Sequence, residues 1–142
     1  MPSAAEQLAE FASGLRYSDI PADIVQRARG CFLDTVGACI FGSTLPWSRI
    51  VSGYAGQYGP GGRCTVLGTG LRVHSPVAAL ANGTSAHAFE LDSLRQPSAG
   101  VHPGATITPP ALAMAEELGA SGEETLAAFV AGVEVMFRIG DA

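Results

Sequence analysis

Apolar positions recur at helical spacing along most of the chain. Leu8, Phe11, Ala12 and Leu15 mark a first helix from about Ala4 to Ser13. Tyr17-Ser18-Asp19-Ile20-Pro21 breaks the period, and Pro21 suits the first turn of a second helix, where a missing N–H costs nothing. That helix carries Ile24, Val25, Ala28, Cys31, Phe32, Thr35 and Cys39 on one broad face and is predicted to end near Gly42. A third starts at Pro46-Trp47 and stops by the glycines around Gly59 to Gly62. Ser75-Pro76 opens a fourth by cap and first-turn logic, and it runs through Ala78, Ala79, Leu80, Ala81 and Ala86 toward Asp92. A non-helical loop, Ser93 to Val101, follows. The fifth helix starts near His102-Pro103-Gly104 and reaches about Leu118 or Gly119. Pro109 and Pro110 predict a distorted first turn for it, or a later start. Ser121 and Glu124 form a capping box for the sixth, with Leu126, Phe129, Val130, Val133 and Phe137 at helical spacing.

The period changes once. Two short β-prone runs within Cys64–Val73 flank Gly68-Thr69-Gly70, which predicts a small hairpin. A phosphate loop at the same place would need a third glycine of the dinucleotide fingerprint or a Gly-Lys-Ser/Thr ending, and neither is present. The expected fold class is therefore all-α, a bundle of about six helices with one small β-hairpin.

Composition adds a constraint. Apolar residues make up 47% of the 142 residues and charged ones 15%, against a usual charged share of about 25%. Helices with so little polar cover are buried on most of their circumference. The expectation is a portion of something larger, or a protomer that hides surface against a partner. The net charge is -5 and all eight basic residues are Arg. They are scattered singly, so there is no basic stripe to neutralise phosphates, and nucleic acid is not an expected partner. The N-terminus lacks the basic segment and apolar run of a signal peptide. Asp34, Gly53 and Asp92 interrupt every stretch that approaches a membrane span. The expected compartment is cytoplasmic, with no membrane partner.

Cys31 and Cys39 on one helix would stand roughly 12 Å apart at about 1.5 Å per residue, too far for a disulfide. With Cys64 they read as small core residues.

Polar residues concentrate between Asn82 and His102. His87 and Glu90, three apart, are predicted to share a face of the fourth helix. Asp92 falls at that helix's end, where the C-terminal dipole repels an anion. That misfit favours a specific partner or a functional role. Arg95 follows in the loop, and His102 stands where the next helix begins. A cation is disfavoured there, so a neutral imidazole at that position suits a base. Titratable groups at both mouths of a loop between apolar helices make a reasonable substrate pocket. Each also has a structural reading: His87 as a core histidine, Glu90 and Asp92 as solvated helix-end residues, Arg95 as a surface residue. His87, Glu90, Asp92 and His102 hold enough nitrogen and oxygen donors for zinc or manganese. Their spacing matches no compact motif such as His-Glu-x-x-His, and neither a metal nor another cofactor is expected. No Gly-x-Ser-x-Gly elbow is present, and the cysteines lie in apolar runs.

Ala81-Asn82-Gly83-Thr84-Ser85-Ala86-His87-Ala88-Phe89-Glu90-Leu91-Asp92, followed by His102-Pro103-Gly104 and Pro110-Ala111-Leu112-Ala113-Met114-Ala115-Glu116-Glu117, resembles the MmgE/PrpD family. This is the family of 2-methylcitrate dehydratases, cis-aconitate decarboxylases and their relatives. Leu33-Asp34-Thr35-Val36-Gly37 and Gly132-Val133-Glu134-Val135 with Arg138 extend the likeness over nearly the whole chain. The resemblance implies the N-terminal portion, residues 1–142, of a helical domain that continues further, with an α/β lid domain downstream. It implies a homodimer and an active site between bundle and lid. By position, Glu90 takes the place of an acidic pocket residue, His102 that of the pocket histidine, and Asp92 that of the first of two aspartates. Ser93 replaces the second aspartate, and Leu94 stands where relatives often carry a Thr that contacts substrate. The catalytic lysines the family uses are expected downstream.

The expected function is a cofactor-independent carbon–oxygen lyase of dehydratase type. It would move a proton next to a carboxylate of a small di- or tricarboxylic acid. His102 is the expected acid/base, with Asp92 and Glu90 orienting it or the substrate. Arg95, His87 and Asn82 are the expected substrate-binding residues. The alternatives are a decarboxylase or epimerase of the same family, or a non-catalytic helical dimerisation fragment.

Overall fold

The computed structural model describes residues 1–96 and 100–142. Six helices follow in order, α1 (Ala4–Gly14), α2 (Ala22–Gly42), α3 (Pro46–Tyr58), α4 (Ser75–His87), α5 (Pro103–Leu118) and α6 (Gly122–Gly140). A 3-10 turn at Tyr17–Asp19 separates α1 from α2. Strands β1 (Pro60–Thr65) and β2 (Arg72–Val73) pair antiparallel between α3 and α4. The hairpin is the predicted one, shifted: β1 begins at Pro60, ahead of the β-prone run, and its register slips between Pro60 and Cys64.

The helix starts follow local chemistry. The capping box at Ser121 and Glu124 forms as expected, and a second, at Ser3 and Glu6, caps α1. Pro21 is the residue just outside α2 rather than in its first turn. α5 begins at Pro103 and runs through Pro109 and Pro110 without the expected late start. Pro109 has no N–H to return to the Ala105 carbonyl. That carbonyl lies 3.2 Å from where a side chain on Gly83 would begin, so α4 approaches α5 at the gap in its ladder.

One element departs from expectation in a way that matters for the site. α4 ends at His87, five residues before Asp92. The Trp47 indole N–H, from α3, donates to the Ala88 carbonyl at 3.1 Å. A tertiary contact thus satisfies a backbone acceptor that continued helix would have used.

The core is built on small residues. α4 packs most extensively on α5 and α2. Thr35, Cys39 and Gly42 form one stripe of α2, and Ala78, Ala81, Asn82 and Ser85 form one stripe of α4; all are buried. The hairpin closes the far side, with Ala55, Cys64, Val66, Val73, Ala78, Ala81 and Ala113 in one cluster. Outside it, large apolar side chains stay exposed, among them Leu33 at 71%, Ile50 at 74% and Leu118 at 72%. Among the described residues no helix is long and apolar enough to cross a membrane.

Candidate active site

The chain from Ala88 to Asp92 turns back after α4 and lays Asp92 against the start of α5. The Asp92 side chain has no exposed surface. Its Oδ1 lies 2.9 Å from His87 Nδ1, and its Oδ2 lies 3.3 Å from His102 Nδ1. The Ala105 N–H donates to Oδ2 at 3.4 Å, and the Gly104 N–H donates to Ser93 Oγ at 3.1 Å. His102 supplies no side-chain cap to α5, so the preceding loop caps it instead. The electrostatic misfit expected for Asp92 is resolved here. The residue does not sit on the C-terminal dipole of α4; it sits at the N-terminus of α5, where the dipole and orphan N–H groups favour an anion.

His87 and His102 meet edge to face across this carboxylate, with ring centroids 4.8 Å apart. His102 Nδ1 is buried, and its approach to Asp92 falls off the line of a hydrogen bond. About a third of the His102 side chain, 31%, is exposed, which leaves Nε2 as the nitrogen not committed to Asp92. The arrangement is that of an imidazole oriented through one nitrogen by a buried carboxylate, with the other available for proton transfer.

His87, Asp92 and His102 each offer one donor atom, all within 4.8 Å of one another. Two imidazoles and a carboxylate are suitable donors for zinc. In the present arrangement both Asp92 oxygens instead face nitrogen groups, His87 Nδ1 on one and His102 Nδ1 with the Ala105 N–H on the other.

Three expected site residues lie elsewhere. Glu90 does not share a helix face with His87, because α4 has ended. It is exposed in the turn that follows, outside the His87–Asp92–His102 group, and its backbone is left-handed at φ 52°. A left-handed conformation costs a non-glycine residue on the order of 1 kcal/mol, and such strain gathers at functional positions. Glu90→Gly is therefore expected to raise the melting temperature by about 2–4 °C. If Glu90 handles substrate, as its position in the resemblance implies, the same variant loses activity while gaining stability; thermal unfolding and turnover measured together read both effects.

Asn82 is buried, and its amide is spent on the hairpin. Oδ1 accepts from the Leu67 N–H at 2.8 Å and Nδ2 donates to the Thr65 carbonyl at 2.8 Å. It ties β1 to α4 and has no amide group directed to a ligand. The Arg95 guanidinium forms a two-pronged pair with Asp141, at 2.6 and 2.9 Å, and lies 4.5 Å over the Phe137 ring. Its charge is committed to the end of α6 and is not a free carboxylate clamp. Pro97, part of the predicted loop, lies outside the described residues.

A cavity of about 520 Å³ adjoins the site, lined among others by Arg27 of α2, Ser93, Leu94 and the Asp141-paired Arg95 of the loop, Pro103, and Glu134 of α6. The three clustered residues do not line it. Cys39 and Cys64 are poor nucleophiles, as their apolar setting predicts. Burial, helped by the Asp92 charge, pushes the Cys39 thiol up to about 12, and burial with the nearby Glu117 pushes Cys64 up to about 11.

Sequence reasoning missed Ser93 as a cap of α5 and treated its replacement of an aspartate only as a loss. Ser93 reaches the Gly104 N–H from eleven positions away, so no local capping pattern marked it.

The MmgE/PrpD N-terminal domain model matches residues 6–142. The cis-aconitate decarboxylase-like protein oryM of Aspergillus oryzae is 34% identical, over 96% of this chain and 30% of its own length. The cis-aconitate decarboxylase of Aspergillus terreus is 30% identical, over 96% of this chain and 29% of its own. The human cis-aconitate decarboxylase is 31% identical, over 98% and 30%. The chain thus spans about 30% of the length of the curated relatives it matches. By the match over residues 6–142 and by these relatives, the chain belongs to the MmgE/PrpD family.

Proposed function

We propose that this chain forms the acid/base part of a lyase that transfers a proton at a carbon next to a carboxylate of a small di- or tricarboxylic acid. The observation that carries the reading is the buried Asp92 oxygen 3.3 Å from His102 Nδ1, which leaves Nε2 for the substrate. In a dehydration, a base removes the C–H proton beside the carboxylate while an acid assists loss of hydroxide. In a decarboxylation, loss of CO2 leaves a carbanion-like carbon that the acid protonates. Both routes build negative charge next to carboxylates, and fixed positive charge stabilises it. Arg95 is spent on Asp141. Arg27 lines the adjoining cavity and offers one such charge; the rest would come from protein beyond this chain.

Dehydration is the first reading. Decarboxylation is the second reading, favoured by relatives named as cis-aconitate decarboxylases. The exposed Leu33, Ile50 and Leu118 support burial against a second subunit or a lid, and a homodimer is part of this proposal.

The test is to incubate the full-length protein, metal-stripped, in D2O with a panel of hydroxy, unsaturated and amino-type di- and tricarboxylates. At least one is expected to turn over, with solvent deuterium entering the carbon beside a carboxylate of the hydrated, decarboxylated or epimerised product, or of recovered substrate where the reaction is a dehydration. Release of CO2, loss of water or a change of configuration tells decarboxylation, dehydration and epimerisation apart. A panel with neither turnover nor exchange overturns the proposal, and activity restored only by added metal overturns its cofactor-free form.

A further inference from the structure

We infer that His87 is a positioning residue: it fixes the Asp92 carboxylate so that the other oxygen faces His102. This rests on the reading of His102 as the acid/base, and it moves His87 from the substrate to the residues behind the reacting group.

A carboxylate turns easily about its last torsion, which is broad and roughly two-fold. Asp92 is wholly buried, so its oxygens settle on whatever donors surround them. Oδ1 faces the His87 imidazole, and Oδ2 faces the His102 imidazole together with the Ala105 N–H at the start of α5, while the Gly104 N–H is taken by Ser93. The shortest contact Asp92 makes is to His87, 2.9 Å from Oδ1. Contacts on the other oxygen are longer, 3.3 Å to His102 Nδ1 and 3.4 Å from the Ala105 N–H. The tight contact therefore sets the plane, and Oδ2 is directed at His102 as a consequence. Without His87 nothing holds Oδ1, and the carboxylate can turn about that torsion and carry Oδ2 away from His102 Nδ1, which is already buried and unsatisfied.

His87 is placed to do this from outside. It is the last residue of α4, 46% of its side chain is exposed, and its ring rests edge to face on that of His102. Its grip on Oδ1 and its contact with the second ring act together on the orientation of His102. Substrate need not touch it.

The variants are His87→Phe, which keeps a ring and removes the hydrogen-bonding nitrogen, and His87→Asn, whose amide N–H takes the place of Nδ1. In the full-length protein, His87→Phe is expected to lower kcat at least tenfold with KM changed less than about twofold, consistent with one weakened acid/base contribution. His87→Asn is expected to recover most of that loss. The independent readout is the ring tautomer of His102, followed by nitrogen NMR of histidine-labelled protein. Wild type should carry the proton on Nδ1, His87→Phe should show a mixture, and His87→Asn should return toward wild type. An unchanged His102 tautomer in His87→Phe overturns the inference, and so does equal failure of the Phe and Asn variants. If wild type turns over no carboxylate but its His102 tautomer still responds to His87, the functional reading fails and the positioning role stands.

Discussion

Replacing His102 with Ala in the full-length protein is expected to lower kcat about a hundredfold or more, the usual contribution of a positioned acid/base, with KM little changed. Both imidazoles turn Nδ1 toward Asp92, and His102 is the one that stands at the start of α5 directly before Pro103, which lines the adjoining cavity. Asp92 has no exposed surface, and His87 turns Nδ1 toward Asp92. Removal of the imidazole also takes one neighbour from a buried carboxylate, which can destabilise the fold. Two contacts limit that cost: the His87 ring on Oδ1 and the Ala105 N–H on Oδ2 remain. The backbone carbonyl of residue 102 still receives the Thr106 hydroxyl at 2.6 Å. A melting temperature within a few degrees of wild type, together with the rate loss, separates chemistry from folding. Turnover at the wild-type rate would remove His102 from the mechanism.

The pairing of His102 with Asp92 was legible in the sequence only as a guess about two helix mouths. Composition and spacing brought both residues to one loop, and the proline after His102 marked a helix start. What made the site differ from expectation is tertiary. Phe89 and Leu91 continue an apolar pattern past His87, and no Gly or Pro marks a stop. The helix ends where the Trp47 indole, 41 positions earlier, takes the Ala88 carbonyl. With that end misplaced, Glu90 was assigned to a face that does not exist. The partners of Arg95 and Asn82 are hidden in the sequence for a related reason. Those partners, Asp141 and the hairpin backbone at Thr65 and Leu67, lie 46 and about 15–17 positions away, and hydrogen-bond partners at such separations leave no local pattern. The helices themselves were legible because caps and period act within a few residues of each boundary.

Gly42→Ala is expected to destabilise the protein by about 3 kcal/mol, the upper part of the range for overpacking. A Cβ at residue 42 would stand 1.8 Å from the Ser85 carbonyl oxygen and 2.8 Å from its carbon. Both are main-chain atoms of α4, which cannot swing aside as a flexible side chain does. The two helices would have to separate, and the separation would open the neighbouring contact of the Cys39 thiol with the Asn82 carbonyl at 3.3 Å. The melting temperature should fall by roughly 6–12 °C. Gly37, in the same helix, supplies the control, because nothing lies within 4 Å of its virtual Cβ. Gly37→Ala is expected to stabilise by about 0.5–1 kcal/mol through helix propensity alone. Opposite signs for two identical substitutions five residues apart would trace the effect to the approach of α2 to α4. Ser85 stands two residues before His87, so any Gly42→Ala protein that still folds should also show a displaced His87–Asp92 contact and a slower reaction. Equal melting temperatures for the two variants would mean that α2 and α4 are not packed at Gly42 as described.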